Sequence, residues 1–175
     1  MAVFNPFKKT YSPQEEELFE FLHKNHFFNL LNKEELLEFL PFLYPRNYEE
    51  NEVIFFRGDP SQAFYLIKEG AVSLSIDLKD SFEELTQLGK TDAFGENALI
   101  EGETRIYNAI CKSEHCSLFV IPTTNIIEVF EDHVQIRARM MTAMAYYFNE
   151  HMSEIFSSYR TSFGFFNLGM GYGNK

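Results

Sequence analysis

The hydrophobic pattern of this chain changes character twice. Between Ser12 and Pro41 apolar residues recur at helical spacing, first Leu18, Phe19, Phe21, Leu22, Phe27, Phe28 and Leu31, then Leu36, Leu37, Phe39 and Leu40. Each run opens on a start signal. Ser12 precedes Pro13 and the acids Glu15, Glu16 and Glu17; serine caps free amides, proline suits the first turn and acids favour the positive helix end. Asn32 with Glu35 three residues on reads as a capping box. Two N-terminal helices ending near Pro41 are predicted. From about Leu43 to Pro122 the pattern becomes short alternating or apolar runs between turn signals at Arg57-Gly58-Asp59-Pro60, Glu69-Gly70, Asp77 to Ser81 and Gly89 to Asp92. Regular short strands of this kind predict a β-sandwich or barrel. The stretch Leu78 to Glu84 reads as a solvated hairpin turn.

The third regime is helical again. Thr123 and Thr124 offer an N-cap for a helix holding Ile126, Ile127, Val129 and Phe130 and ending around Asp132-His133. Val134, Ala138, Met141, Ala145, Phe148, Met152, Ile155 and Tyr159 then alternate at spacings of four and three. That is a coiled-coil seam over about 26 residues, or about 39 Å of helix. A stripe so long overshoots a small roll, and symmetric dimers are the commonest oligomers, so it predicts a parallel homodimer with Arg137 and Arg139 on its flanks. The chain thus divides into an extension over 1–11, a domain over 12–160 and an aromatic, glycine-containing tail over 161–175.

Composition narrows the functions. A length of 175 residues with 45% hydrophobic content suits one globular domain with an appended helix. Twenty Phe, nine Tyr and no Trp give an aromatic core. A formal charge of −11 argues against direct nucleic-acid binding, which rests on Lys and Arg neutralising phosphates. Cys111 and Cys116, with His115 between them, lack the second ligand pair of a zinc site and read as reduced thiols, with no metal. The first residues lack the apolar run of a signal peptide, and no stretch approaches 18 apolar residues, which reads as a cytoplasmic protein without membrane attachment. His23, His26, His115, His133 and His151 are scattered, with no nucleophile and base beside them, so no enzyme is expected.

The chemistry concentrates in Phe94-Gly95-Glu96-Asn97-Ala98-Leu99, followed nine residues after its glutamate by Arg105. Glycine lets backbone approach a ligand, a helix start offers unpaired N–H donors, a carboxylate accepts from sugar hydroxyls and a guanidinium presents a fork of donors to phosphate. This run resembles the phosphate-binding cassette of cyclic nucleotide-binding domains. Val53 to Pro60 and Phe64 to Gly70 resemble the opening strands of that family's jelly roll, and Ala109 to Lys112 with Ser117 to Pro122 its last strands, so the likeness spans roughly Leu36 to Ile155. The resemblance implies a mainly β fold, a jelly roll with N-terminal helices and a long C-terminal helix. It implies that Phe94, Gly95, Glu96, Asn97, Ala98, Arg105 and Ile106 form the ligand site, with Glu96 on the ribose and Arg105 on the phosphate. Asn149, Glu150 and His151 occupy the neighbourhood from which relatives reach the purine base.

Where the family usually has small residues and then a short hydroxyl residue after the arginine, this chain has Ile106, Tyr107 and Asn108, and Thr91 stands where glycine is frequent. Strand alternation would send Tyr107 to the face opposite Ile106. Two readings follow. In the first the chain is a cAMP or cGMP sensor, with no other cofactor, that signals to an effector protein by moving its C-terminal helix and lacks the helix-turn-helix domain of bacterial relatives. In the second it is a ligand-free interaction and dimerisation module whose pocket is filled by Ile106 and Tyr107, with Glu96 and Arg105 retained for folding. The space behind Gly95 discriminates between them.

Overall fold

In the computed structural model, which describes residues 9–78 and 81–163, the predicted helix starts form as capping boxes. Ser12 accepts from the Glu15 amide while Glu15 accepts from the Ser12 amide, and helix α1 runs Pro13–His23. The same reciprocal pair between Asn32 and Glu35 opens α2, Lys33–Leu37, and one 3-10 turn follows at Leu40–Phe42. Ahead of α1, the Tyr11 ring packs edge-on against Phe19 and its hydroxyl donates to Glu34. Residues 1–8 of the extension lie outside the described residues.

Eight antiparallel strands then fold into two four-stranded sheets: β1 (Tyr44–Glu49), β2 (Val53–Phe55), β3 (Ala63–Glu69), β4 (Val72–Leu78), β5 (Ser81–Leu88), β6 (Ala93–Phe94), β7 (Asn108–Cys111) and β8 (His115–Pro122). One sheet has the order β1-β8-β3-β6 and the other β2-β7-β4-β5, which is the expected jelly roll. The solvated turn expected over Leu78 to Glu84 is shorter than its sequence suggests. Leu78 pairs with Ser81 and Asp77 with Phe82, so most of that stretch is strand.

Sheet alternation divides the core in two. Phe64 and Leu66 of β3, with Phe119 and Ile121 of β8, face the helices and pack with Phe19, Leu22, Phe28 and Leu36. Ala63, Tyr65 and Ile67, with Leu118, face the interior of the roll beside Phe55, Phe94 and Tyr107. Burial on both faces explains why β3 reads as a continuous apolar run.

Helix α3 spans Thr123–Asp132, but its N-cap is Pro122 and no side chain caps it. The Thr123 hydroxyl donates instead to the Ser61 carbonyl. Helix α4 runs Val134–Phe163, so Thr161 to Phe163 of the expected tail are helical and residues 164–175 lie outside the described residues. One stripe of α4, made of Ile136, Met140, Ala143 and Met144, is buried against the helical core, with Tyr147 half-buried beside it. The predicted seam is the other stripe. Val134, Ala138, Ala145, Phe148, Met152, Ile155 and Tyr159 are exposed and Met141 is half-buried. Arg139 ties α4 to α2 through Glu35. None of the helices among the described residues is long and apolar enough to cross a membrane.

Candidate functional site

The site is organised around Gly95. Strand β6 ends at Phe94, Gly95 adopts the left-handed conformation with φ +74°, and one 3-10 turn follows over Glu96–Leu99. This single turn stands where a short helix was expected. Glycine is required twice over, by the positive φ and because a Cβ would sit 2.6 Å from Nη1 of Arg105.

Arg105 fills the space behind that glycine. It is 3% exposed, Nη1 donates to the Gly95 carbonyl at 3.1 Å and Nη2 to the Ala63 carbonyl at 2.6 Å. Its guanidinium carbon lies 4.1 Å from the centre of the Phe55 ring and 5.5 Å from that of Tyr65. The Tyr65 ring is in turn stacked on Phe94 at 4.9 Å. Nε of Arg105 has no hydrogen-bond partner among the described residues. Burial pushes the guanidinium pKa down, against the pull of Tyr65, Tyr107 and Glu96 upward.

Glu96, 5% exposed, does not pair with Arg105 directly. Its Oε2 accepts from the Tyr107 hydroxyl at 2.6 Å, and the same hydroxyl accepts from the Gly95 amide at 2.8 Å. Tyr107 therefore points into the roll, where it is 7% exposed and lies 5.9 Å from the Phe55 ring centre. Burial first, and Glu96 second, push its phenol well above the ordinary tyrosine pKa.

The two residues after the arginine face opposite ways, as expected, but it is Tyr107 that faces inward and Ile106 outward. Ile106, the candidate phosphate contact and supposed filler, has its side chain 55% exposed. Strand β7 begins only at Asn108, so Ile106 and Tyr107 form a bend ahead of the strand. Asn108 is anchored from three sides: its Oδ1 accepts from the Arg57 amide, and its Nδ2 donates to the Ser75 carbonyl and the Asp77 carboxylate.

Of the remaining expected residues, Phe94 and Ala98 are fully buried parts of the core, and Asn97 is half-buried with an Oδ1 that has no partner among the described residues. Asn149, Glu150 and His151 are exposed on α4; the structure does not bring them to the cassette. On α4, Tyr147 is near enough for the Glu96 charge to act on its phenol. Burial raises its phenol pKa to about 12, with Glu96 the next contributor, and its ring packs 5.0 Å from Phe27. The turn before the cassette is pinned from the segment after α1: Thr91 takes a left-handed φ of 74°, and its carbonyl accepts from Nδ2 of buried Asn25 at 2.9 Å.

Phe55, Ala63, Tyr65 and Asn25 were not among the expected site residues. Phe55 and Tyr65 were visible only as apolar strand positions, and a carbonyl partner such as that of Ala63 leaves no trace in side-chain chemistry. Among the described residues no group of three or more His, Cys, Asp or Glu side chains is placed to hold a metal ion.

A sequence model of the cyclic nucleotide-binding domain matches residues 45–133, which contain the whole cassette. The cAMP-dependent protein kinase type II regulatory subunit of Drosophila melanogaster is 40% identical over 63 residues, 36% of this chain and 17% of that one. The cGMP-dependent protein kinase isozyme 2 forms cD5/T2 of the same organism is 32% identical over 99 residues, 55% of this chain and 11% of that one. This chain therefore spans less than a fifth of either relative. The regulatory domain of Toxoplasma gondii PKA, crystallised with cAMP, matches the fold with a TM-score of 0.62 at 21% identity, covering 69% of this chain and 46% of that one. With its two-sheet roll, its Gly95 turn and its buried Glu96 and Arg105, the chain belongs to the cyclic nucleotide-binding domain family.

Proposed function

We propose that this chain is the sensing part of a regulatory protein, taking cAMP or cGMP on Glu96 and Arg105 and reporting through α4, with no chemistry of its own on the ligand. The observation that carries the reading is the guanidinium of Arg105. It is a buried cation beside a glycine turn, and among the described residues it has no carboxylate in ion-pair contact and its Nε lacks a partner. A buried charge is costly unless paired and hydrogen-bonded, and a cyclic phosphate supplies both the anion and the acceptor. In this reading Glu96, one residue beyond the glycine, accepts from a sugar hydroxyl on the same ligand. The relatives named for cAMP-dependent and cGMP-dependent kinases support the ligand class and leave the purine open.

Output follows from where α4 lies. Tyr147 packs on Phe27 within reach of the Glu96 charge while the opposite stripe is exposed, so a ligand that repositions Tyr147 also repositions the stripe. A ligand shifts such an equilibrium only by its preference for one state. The exposed stripe is proposed to seat a second copy of the chain, and an effector protein to read the helix. Two buried free thiols, Cys111 and Cys116, suit a reducing cytoplasmic location.

A specific observation favours a second reading, in which the chain is a ligand-free interaction module: the Tyr107 hydroxyl already satisfies both Glu96 and the Gly95 amide. Calorimetric titration with each nucleotide separates the two. Saturable heat that Glu96→Ala weakens at least tenfold supports the sensor. A folded wild-type chain that does not saturate at millimolar cAMP or cGMP overturns it and leaves the module.

A further inference from the structure

We infer that Tyr107 is a tethered competitor of the ligand: its phenol occupies the place of the sugar hydroxyl on Glu96, so that ligand enters only as Tyr107 swings out. The inference rests on the sensor reading above and names its regulation. The Tyr107 hydroxyl donates to Glu96 Oε2 at 2.6 Å and accepts from the Gly95 amide at 2.8 Å. One hydroxyl thus answers an acceptor and a donor that flank the glycine turn, as a ribose hydroxyl beside a cyclic phosphate would. Its ring lies against Phe55, the same ring that carries the Arg105 guanidinium. Ribose group and phosphate group are therefore withdrawn into one aromatic cluster.

The chain around Tyr107 is built for a local swing. The Arg105 amide donates to the Asp59 carbonyl and the Arg105 carbonyl accepts from the Gly58 amide. On the other side Asn108 is fixed to Arg57, Ser75 and Asp77. Ile106 and Tyr107 form a two-residue bend between these anchors, outside any strand ladder. A change in this bend moves the tyrosine without moving Arg105 or β7. Because only the fraction of molecules with Tyr107 out can bind, apparent affinity is lowered by that fraction, and removing the tyrosine restores it.

The test compares wild type, Tyr107→Ser and Tyr107→Phe by calorimetry with cAMP and with cGMP, each protein first shown to be folded by a cooperative thermal melt. Tyr107→Ser removes ring and bonds, and tightening by tenfold or more is expected. Tyr107→Phe keeps the ring's packing and loses both hydrogen bonds, so a smaller tightening is expected and the variant guards against misfolding of the serine one. In fluorotyrosine-labelled wild-type protein, the resonance missing from Tyr107→Phe should shift towards its solvent-exposed position as ligand is added.

Equal affinity of wild type and both variants overturns the inference and leaves the sensor standing. Binding by Tyr107→Ser with the wild type silent supports the inference and overturns the wild-type sensor. Silence of all three overturns both.

Discussion

The guanidinium carbon of Arg105 lies over the ring of Phe55, 4.1 Å from its centre, and this pairing makes the expected phosphate ligand a member of the core. From sequence, Arg105→Ala is expected to abolish ligand binding and leave the fold intact. Burial changes the second half. The alanine variant leaves the carbonyls of Gly95 and Ala63 without their donors and a void against Phe55. An unsatisfied buried polar group costs about 1–3 kcal/mol, so a loss of roughly 2–4 kcal/mol is expected once the void is included. Urea denaturation measures it; a midpoint unchanged from wild type would show that Arg105 is not held as described.

Much of this arrangement was legible in the chain itself. Both helix starts, the second as a capping box, and the strand region follow from residue types whose chemistry is local, while the Gly95 turn and the Glu96 to Arg105 spacing came from the family resemblance. What escaped depended on the path of the backbone. Strand alternation set Tyr107 opposite Ile106, and so they lie, but which of the two points inward is decided by the bend before β7. On α4 the exposed stripe is as apolar as the buried one, so periodicity revealed the seam and hid Ile136, Met140 and Tyr147, which hold the helix to the domain.

Thr91 carries a backbone strain that one substitution relieves. A β-branched residue at φ 74° gives up about 1–2 kcal/mol against the right-handed conformation, and glycine recovers this less the entropy of its freer unfolded chain. Thr91→Gly is expected to stabilise the protein by about 0.5–1 kcal/mol, since Asn25 binds the backbone carbonyl and keeps its partner. A destabilised variant in thermal denaturation would show that the threonine side chain holds the turn.

The two cysteines should be silent towards thiol reagents in the native state. Cys111 is 0% and Cys116 1% exposed, and burial, followed by its neighbour Cys116, pushes the Cys111 thiol up to about 12. The reactive species is the thiolate, so access is against reaction at both cysteines and ionisation is against it at Cys111. Ellman's reagent is expected to report no thiol until denaturant is added, then both. Stoichiometric labelling at neutral pH without unfolding would contradict this burial.

Alkaline pH should destabilise the domain through its buried phenols. The folded pKa of Tyr107 is well above its ordinary value, from burial and then Glu96, and that of Tyr147 is about 12. A group whose folded pKa is raised contributes stability that is whole below the unfolded pKa, about 10 for tyrosine, and is lost as pH climbs towards the folded value. Stability is therefore expected to be insensitive to these groups near neutrality and to fall above about pH 10. Absorbance at 295 nm should show their ionisation in step with loss of the circular dichroism signal. Full titration of all nine tyrosines in a protein that still melts cooperatively would rule this out.

The two stripes of α4 make opposite predictions. Phe148 is 39%, Met152 49% and Ile155 58% exposed, whereas Met140 is 0% exposed. If the outer stripe seats a second copy, Phe148→Glu combined with Ile155→Glu places like charges along a seam that needs apolar residues. Sedimentation should then report a monomer, with the stability of the monomeric fold altered by no more than about 0.5 kcal/mol, as for surface changes elsewhere. Met140→Ala instead opens a cavity between α4 and the helical core, and a loss of about 2–5 kcal/mol is expected whatever the oligomeric state. A double glutamate variant that still sediments as the wild type does would remove the outer stripe from the interface, and the helix would then be exposed for the effector alone.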